Sequence, residues 1–162
     1  MNVIAEELTR GLPDGTQLVR VMIRLMTALL VGAIIGLQRE FAGKPAGLRT
    51  HMLVAMGSAL FVLGCSSVEM SLEGQSRVIQ GIATGIGFIG AGAILKREKQ
   101  REIEGLTTAS GIWVTSAAGV AVGHGEIGLA LLGVAMTWIV LAVIWRIEAT
   151  IEVKEKADRE TP

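Results

Sequence analysis

The sequence predicts an all-α membrane protein of five transmembrane helices: two helical hairpins related by a parallel repeat, and a fifth helix outside it. Three observations carry this. The 162 residues are 51% hydrophobic and 19% charged, with a mean hydropathy of +0.54, which is more apolar surface than a soluble domain of this size can hide. The apolar residues fall into five runs of about 20, the length that crosses a bilayer as a helix. Much of the first charged loop also recurs 58 residues later.

Residues 1–17 read as an N-terminal leader. Glu6, Glu7 and Asp14 stand where a cleavable signal peptide would need a basic start and an apolar run, so none is expected. Residues 18–147 form the membrane domain, with spans at Leu18–Leu37, Leu48–Ser67, Val78–Leu95, Leu106–Val122 and Ile127–Ile147. Arg20 and Arg24 lie four apart on one face of the first span, either snorkelling to headgroups or pointing into the bundle. Residues 148–162 read as a short charged tail, a helix extension that frays into water. Cys65, the single cysteine, reads as a small core residue. Trp113 and Trp138 read as packing residues, and Trp145 as an interfacial anchor.

The repeat needs no gap across the loop. At an offset of 58 the pairs Gly32/Gly90, Leu37/Leu95, Arg39/Arg97, Glu40/Glu98, Gly47/Gly105, Leu48/Leu106, Thr50/Thr108 and Ser58/Ser116 are identical. Each half runs helix, loop, helix in the same direction, so the halves are related by an axis along the membrane normal. Gly32 with Gly36, Gly81 with Gly85, and Gly119 with Gly123 each place two glycines on one face, the pattern of close helix packing. Gly87, Gly90 and Gly92 join Gly81 and Gly85 in the third span. That helix is intrinsically weak, at about 1 kcal/mol per glycine relative to alanine. Tight neighbours hold it, or it breaks and exposes backbone to a cavity.

Orientation follows from Lys and Arg. The first loop, the second loop and the tail hold 11 of the 15 basic residues, which puts all three on the cytoplasmic side and the N-terminus outside. Zero net charge argues against nucleic acid as a partner. The bilayer itself is the first partner. Small-residue stripes add another membrane protein complex or a second copy of the chain as candidates.

The motifs with chemical potential are few. Gly85-Ile86-Gly87-Phe88-Ile89-Gly90 matches a dinucleotide fingerprint, but no strand precedes it and the glycines lie in a membrane-length run. Glu40 and Glu98, brought together by the repeat, could hold Mg²⁺ with waters, or each could pair with a neighbouring arginine. Whether a metal binds stays open. His51 has no Cys, His or Asp cluster around it. No nucleophile–base pairing is visible, so no catalytic residue, enzyme activity or cofactor is expected. Arg39, Glu40, Arg49, His51, Arg97, Glu98, Thr107 and Thr108 remain as candidates for a ligand or partner site at the two loops.

Three ordered motifs resemble the MgtC/SapB family of bacterial inner-membrane proteins. They are Gly36-Leu37-Gln38-Arg39-Glu40 with Ala46-Gly47-Leu48-Arg49-Thr50, the glycine run Gly85 to Gly92, and Gly105-Leu106-Thr107-Thr108-Ala109 with Trp113. The resemblance implies a bacterial inner-membrane protein linked to magnesium limitation, virulence and membrane energetics. Some members act by binding the F-type ATP synthase, and the family is not known to be catalytic. The chain departs from the longer members in three ways. They continue into a soluble C-terminal domain resembling ACT folds, they carry Asn where Thr107 stands, and the family often has Glu where Gln38 stands. The resemblance is thus to the short SapB-like branch. The expected function is a regulatory, non-enzymatic membrane protein, with a small oligomeric transporter or channel for ions or solutes as the alternative.

Overall fold

The computed structural model describes residues 14–66, 70–97 and 102–144. It contains five helices: α1 Gly15–Phe41, α2 Leu48–Ser66, α3 Leu72–Gly92, α4 Leu106–His124 and α5 Ile127–Ile139, the last continuing into a π-helical turn, Val140–Ile144. Three of them, α1, α2 and α4, are long and apolar enough to cross a membrane, and Ile127–Val143 is a shorter apolar helix. The tail, Trp145 and residues 1–13 lie outside the described residues.

Local chemistry sets the helix limits. Asp14 accepts a 2.7 Å bond from the Gln17 amide, so α1 begins at Gly15, three residues before the expected span. Ser71 does the same for Gly74 at 3.2 Å and starts α3 at Leu72, ahead of the apolar run. The turn before it is polar: Glu73 and Arg77 form an exposed i,i+4 pair at 3.2 Å. Gly105 (φ 94°) precedes α4 and Gly125 (φ 92°) ends it, both in the left-handed region that glycine tolerates.

The repeat is visible in the elements. Shifting α2 by 58 residues gives the limits of α4. The two loops differ, however. The first is a turn through Gly43 and Pro45, whereas the second forms a two-stranded antiparallel hairpin, β1 Leu95–Arg97 with β2 Glu102–Glu104, pairing Leu95 with Glu104 and Arg97 with Glu102. Nothing in the periodicity of so short and charged a segment announces strands.

The core sits among α1, α2, α4 and α5. Ala28, Val31, Ile35, Ala55, Ala59, Ala118, Val122, Ala130 and Val134 form one buried cluster. Close approach depends on four glycines. A methyl at Gly32 would lie 2.5 Å from the His51 carbonyl oxygen, and one at Gly36 would lie 2.7 Å from the Leu48 Cα. A methyl at Gly119 would overlap the Ala55 carbonyl, and one at Gly123 would lie 2.7 Å from Val62 Cβ. Gly90 leaves ordinary contact, 3.5 Å to Ala109 Cβ. Gly81, Gly85, Gly87 and Gly92 do not act as packing glycines within this chain: a methyl there meets nothing within 4 Å. The reason is that α3 lies at the periphery, with only Ile86 and Gly90 buried, and it is continuous through its glycines.

One further expectation changes, and one left open is decided. Trp113 and Trp138 are about half exposed rather than packed inside, because the interior is built from alanine, valine and glycine. Arg24 turns into the bundle, where its Nη1 donates to the Gly123 carbonyl at 2.8 Å and so caps the C-terminus of α4, while Arg20 is exposed.

Candidate functional site

A seam of buried polar side chains runs between α2 and α4, closed at one end by α1. Its residues recur seven apart, two helical turns, so each set falls on one face: His51 and Ser58 on α2, Thr108 and Thr115 on α4. Arg39, in the last turn of α1, is 3% exposed, and its Nη2 donates to Thr108 Oγ1 at 2.8 Å. One level deeper, His51 is fully buried with Nδ1 at 2.7 Å from Thr115 Oγ1. The Thr115 hydroxyl hydrogen is committed to the Gly111 carbonyl at 2.8 Å, so the threonine oxygen accepts and His51 Nδ1 is the donor. Deeper still, Ser58 and Ser116 meet at 2.7 Å. Ser58 donates to the Val54 carbonyl, so Ser116 is the donor across the seam. These two serines are repeat mates, which places the pseudo-symmetry axis between α2 and α4.

Among the described residues three buried polar atoms of this region have no hydrogen-bond partner: Arg39 Nε, His51 Nε2 and Gln38 Oε1. Arg39 is close enough for its charge to act on the His51 ring. Gln38 Nε2 reaches the Leu141 carbonyl in the π-helical turn at 3.4 Å, a long contact that ties α1 to α5.

The structure separates the sequence candidates into two groups. Arg39, His51 and Thr108 share the buried seam. Glu40, Arg49 and Thr107 are exposed at the same end of the bundle. Among the described residues Glu40 pairs with no arginine: its Oε2 accepts the Leu48 backbone N–H at 2.8 Å and caps α2. Gly47 makes room for it, since a methyl there would lie 2.7 Å from Oε2. The Arg97 side chain and Glu98 lie outside the described residues. Among the described residues no group of three or more His, Cys, Asp or Glu is placed to hold a metal. Ser58, Thr115 and Ser116 are the members that the sequence did not place among the site candidates, although Ser58 and Ser116 are repeat mates and Thr115 lies two turns from Thr108.

A separate apolar cleft of about 140 Å³ lies between α3 and α4, lined by Ile79, Ile82, Ile86, Trp113 and Val120 and touching the seam at Ser116.

Five helices with small residues at their crossings and hydroxyls turned into the seams define a multi-pass membrane protein. The chain belongs to the MgtC family, whose sequence profile matches residues 25–150. It is 42% identical over 160 residues to protein SrpB of Synechococcus elongatus, covering 91% of this chain and 87% of that protein. It is 46% identical over 130 residues to YhiD of Escherichia coli K12, a protein whose name assigns it provisionally to magnesium transport; this covers 75% of this chain and 59% of YhiD. It is 38% identical over 138 residues to MgtC of Salmonella typhimurium, covering 85% of this chain and 54% of MgtC. The chain thus spans little more than half the length of these last two relatives. No solved structure matches it.

Proposed function

We propose that this chain is a non-enzymatic regulatory protein of the bacterial inner membrane. It acts through contacts of its cytoplasmic face with another membrane protein complex, in a setting of magnesium limitation and membrane energetics. The observation that carries this reading is the closure of the seam. The hydroxyls that would line a conduction path bond instead to one another and to helix carbonyls, as Ser116 does with Ser58 and Thr115 with Gly111. The His51–Thr115 pair does not read as an activated nucleophile, because the threonine proton is held by a carbonyl. Membership of the MgtC family and the magnesium-related name of one relative support the setting. The concentration of Lys and Arg on two loops and the tail supports a cytoplasmic C-terminus and an outer N-terminus.

Purification in mild detergent from a cell expressing the tagged chain at native level tests the reading. A defined membrane complex is expected with the wild type and lost with Arg49→Glu, an exposed substitution. A chain that purifies alone in both cases overturns it. A second reading, an oligomeric transporter, draws on α3, whose exposed Gln80, Thr84 and open glycines would line a path between copies. Flux of Mg²⁺ or protons into liposomes bearing the purified chain would decide for that reading.

A further inference from the structure

We infer that the cleft between α3 and α4 is a binding site for a single lipid acyl chain, taken from the bilayer. The inference goes beyond the proposed function and does not depend on it.

The helices set the depth and shape of the cleft. Gly90 of α3 lies against Ala109 of α4 near the hairpin that joins these antiparallel helices. Counting away from that contact brings Ile86 level with Trp113 and Ile79 level with Val120. Seven residues separate the two levels on each helix, about 10 Å along the axis. Residues 113–120 are the middle of α4, a helix long and apolar enough to cross a membrane. The cleft is therefore an elongated slot at hydrocarbon depth, parallel to the helices. Its open side is continuous with the lipid-facing surface: Trp113 is 52% exposed at one end, and Ala83 and Ala117 are exposed on the facing walls.

The lining selects an apolar occupant. Ser116 brings the one hydroxyl, and it is buried and committed to Ser58 at 2.7 Å. That leaves the Trp113 indole N–H, too little to hold a water, which needs several polar partners. Apolar cavities of about 150 Å³ stay dry and take apolar molecules, and the slot is of that size, about 140 Å³. It is too narrow for a helix, about 10 Å across, but suits a single alkyl chain. At this depth lipid chains are the medium to which it opens. A chain in the slot is enclosed by two helices, whereas one elsewhere on the surface of the bundle meets a single face. Ala83 and Ala117 make the room, and leucine at either position would fill it.

The test compares two tryptophans of similar exposure. Trp113 borders the slot, whereas Trp138 on α5, 48% exposed, does not. Full chains that keep one of them, with phenylalanine at the other two tryptophan positions, are purified in non-ionic detergent. Each is titrated with phosphatidylcholine carrying brominated acyl chains, whose bromines quench indole fluorescence on contact. Trp113 should show a saturating component at low lipid fraction, and Trp138 only quenching in proportion to that fraction. In the Trp113 chain, Ala117→Leu should remove the saturating component and leave the proportional one. Ala83→Leu should do the same from the opposite wall, so that a folding defect in one variant does not decide the result. Proportional quenching alone at Trp113, or a saturating component that survives both substitutions, overturns the inference. A Trp113 shielded from the brominated lipid in a chain with the mass of a dimer also overturns it, because a side chain of a second copy would then fill the slot.

Discussion

The two halves of the repeat share their motifs and the limits of their second helices, α2 and α4, yet they pack differently. In the first half Gly32 brings the α1 backbone against the His51 carbonyl, and Gly36 brings it against Leu48. In the second half the mate of Gly32, Gly90, leaves 3.5 Å to Ala109, the mate of His51. The mate of Gly36 is Ile94, too large for the same approach. The first hairpin is therefore locked and carries the buried Arg39 and His51, whereas α3 lies loosely over α4 with an apolar cleft between them. A duplicated sequence pattern preserves topology, but single side chains at the crossings decide how tightly each copy closes.

The largest effect should come from closing the gap that Gly32 leaves. Gly32→Ala drives a methyl into backbone atoms of His51 and Met52, at 2.5 and 2.8 Å. Backbone cannot give way as a flexible side chain can, so a loss of about 3 kcal/mol is expected. Gly90→Ala should be neutral or gain up to about 1 kcal/mol through helix propensity. Thermal unfolding of both variants in one detergent checks this. Equal losses would mean that the halves are equally tight.

Next comes the contact between α1 and the second half. Thr108→Val removes the hydrogen-bond partner of a buried guanidinium and should cost about 2 kcal/mol. Arg39→Met combined with Thr108→Val should cost less than Thr108→Val alone, since no charge is then stranded. A double variant that simply adds the two single losses would show that the 2.8 Å bond carries no coupling.

Much of this was legible in the sequence, and the limits are physical. Five apolar runs and a gapless set of identities at an offset of 58 announced the helices and the repeat, because membrane length and periodicity are strong signals. Arg39, His51 and Thr108 were singled out and lie in the seam. What could not be read was which face of each helix turns inward. Gly81 and Gly32 have the same sequence context, a glycine four residues before another, but only Gly32 meets a neighbour. Glu40 looked like a metal ligand or an ion-pair partner because sequence does not show that the chain turns back to present the Leu48 amide to it. Arg24 finds the α4 carboxyl end across 99 positions of sequence, a distance no local pattern spans.

The open face of α3 gives a smaller effect of opposite sign. A methyl at Gly85 meets nothing within 4 Å in this chain, so Gly85→Ala should stabilise the isolated chain by up to about 1 kcal/mol. The same substitution would weaken any assembly in which another helix lies against that face. Unfolding measured alongside molecular mass in detergent separates the two: a stabilised chain of unchanged mass keeps α3 as the free side of the molecule, and a loss of mass would give it a partner.

The smallest effect lies on the pseudo-symmetry axis itself. Ser58 and Ser116 are repeat mates bonded to each other at 2.7 Å, and interhelical hydrogen bonds in membranes contribute about 0.6 kcal/mol on average. The alternative partners are unequal. Ser58 already donates to the Val54 carbonyl at 2.8 Å, so its oxygen serves the seam only as acceptor. Ser58→Ala strands the Ser116 hydroxyl hydrogen, whereas Ser116→Ala leaves the Ser58 donor satisfied. Ser58→Ala should thus be the more costly of two substitutions that are identical in chemistry and related by the repeat. Because α2 packs against α1 and α4 while the mate helix faces the cleft, equal losses would place the axis in a symmetric environment and remove the distinction between a locked and a loose half at its centre.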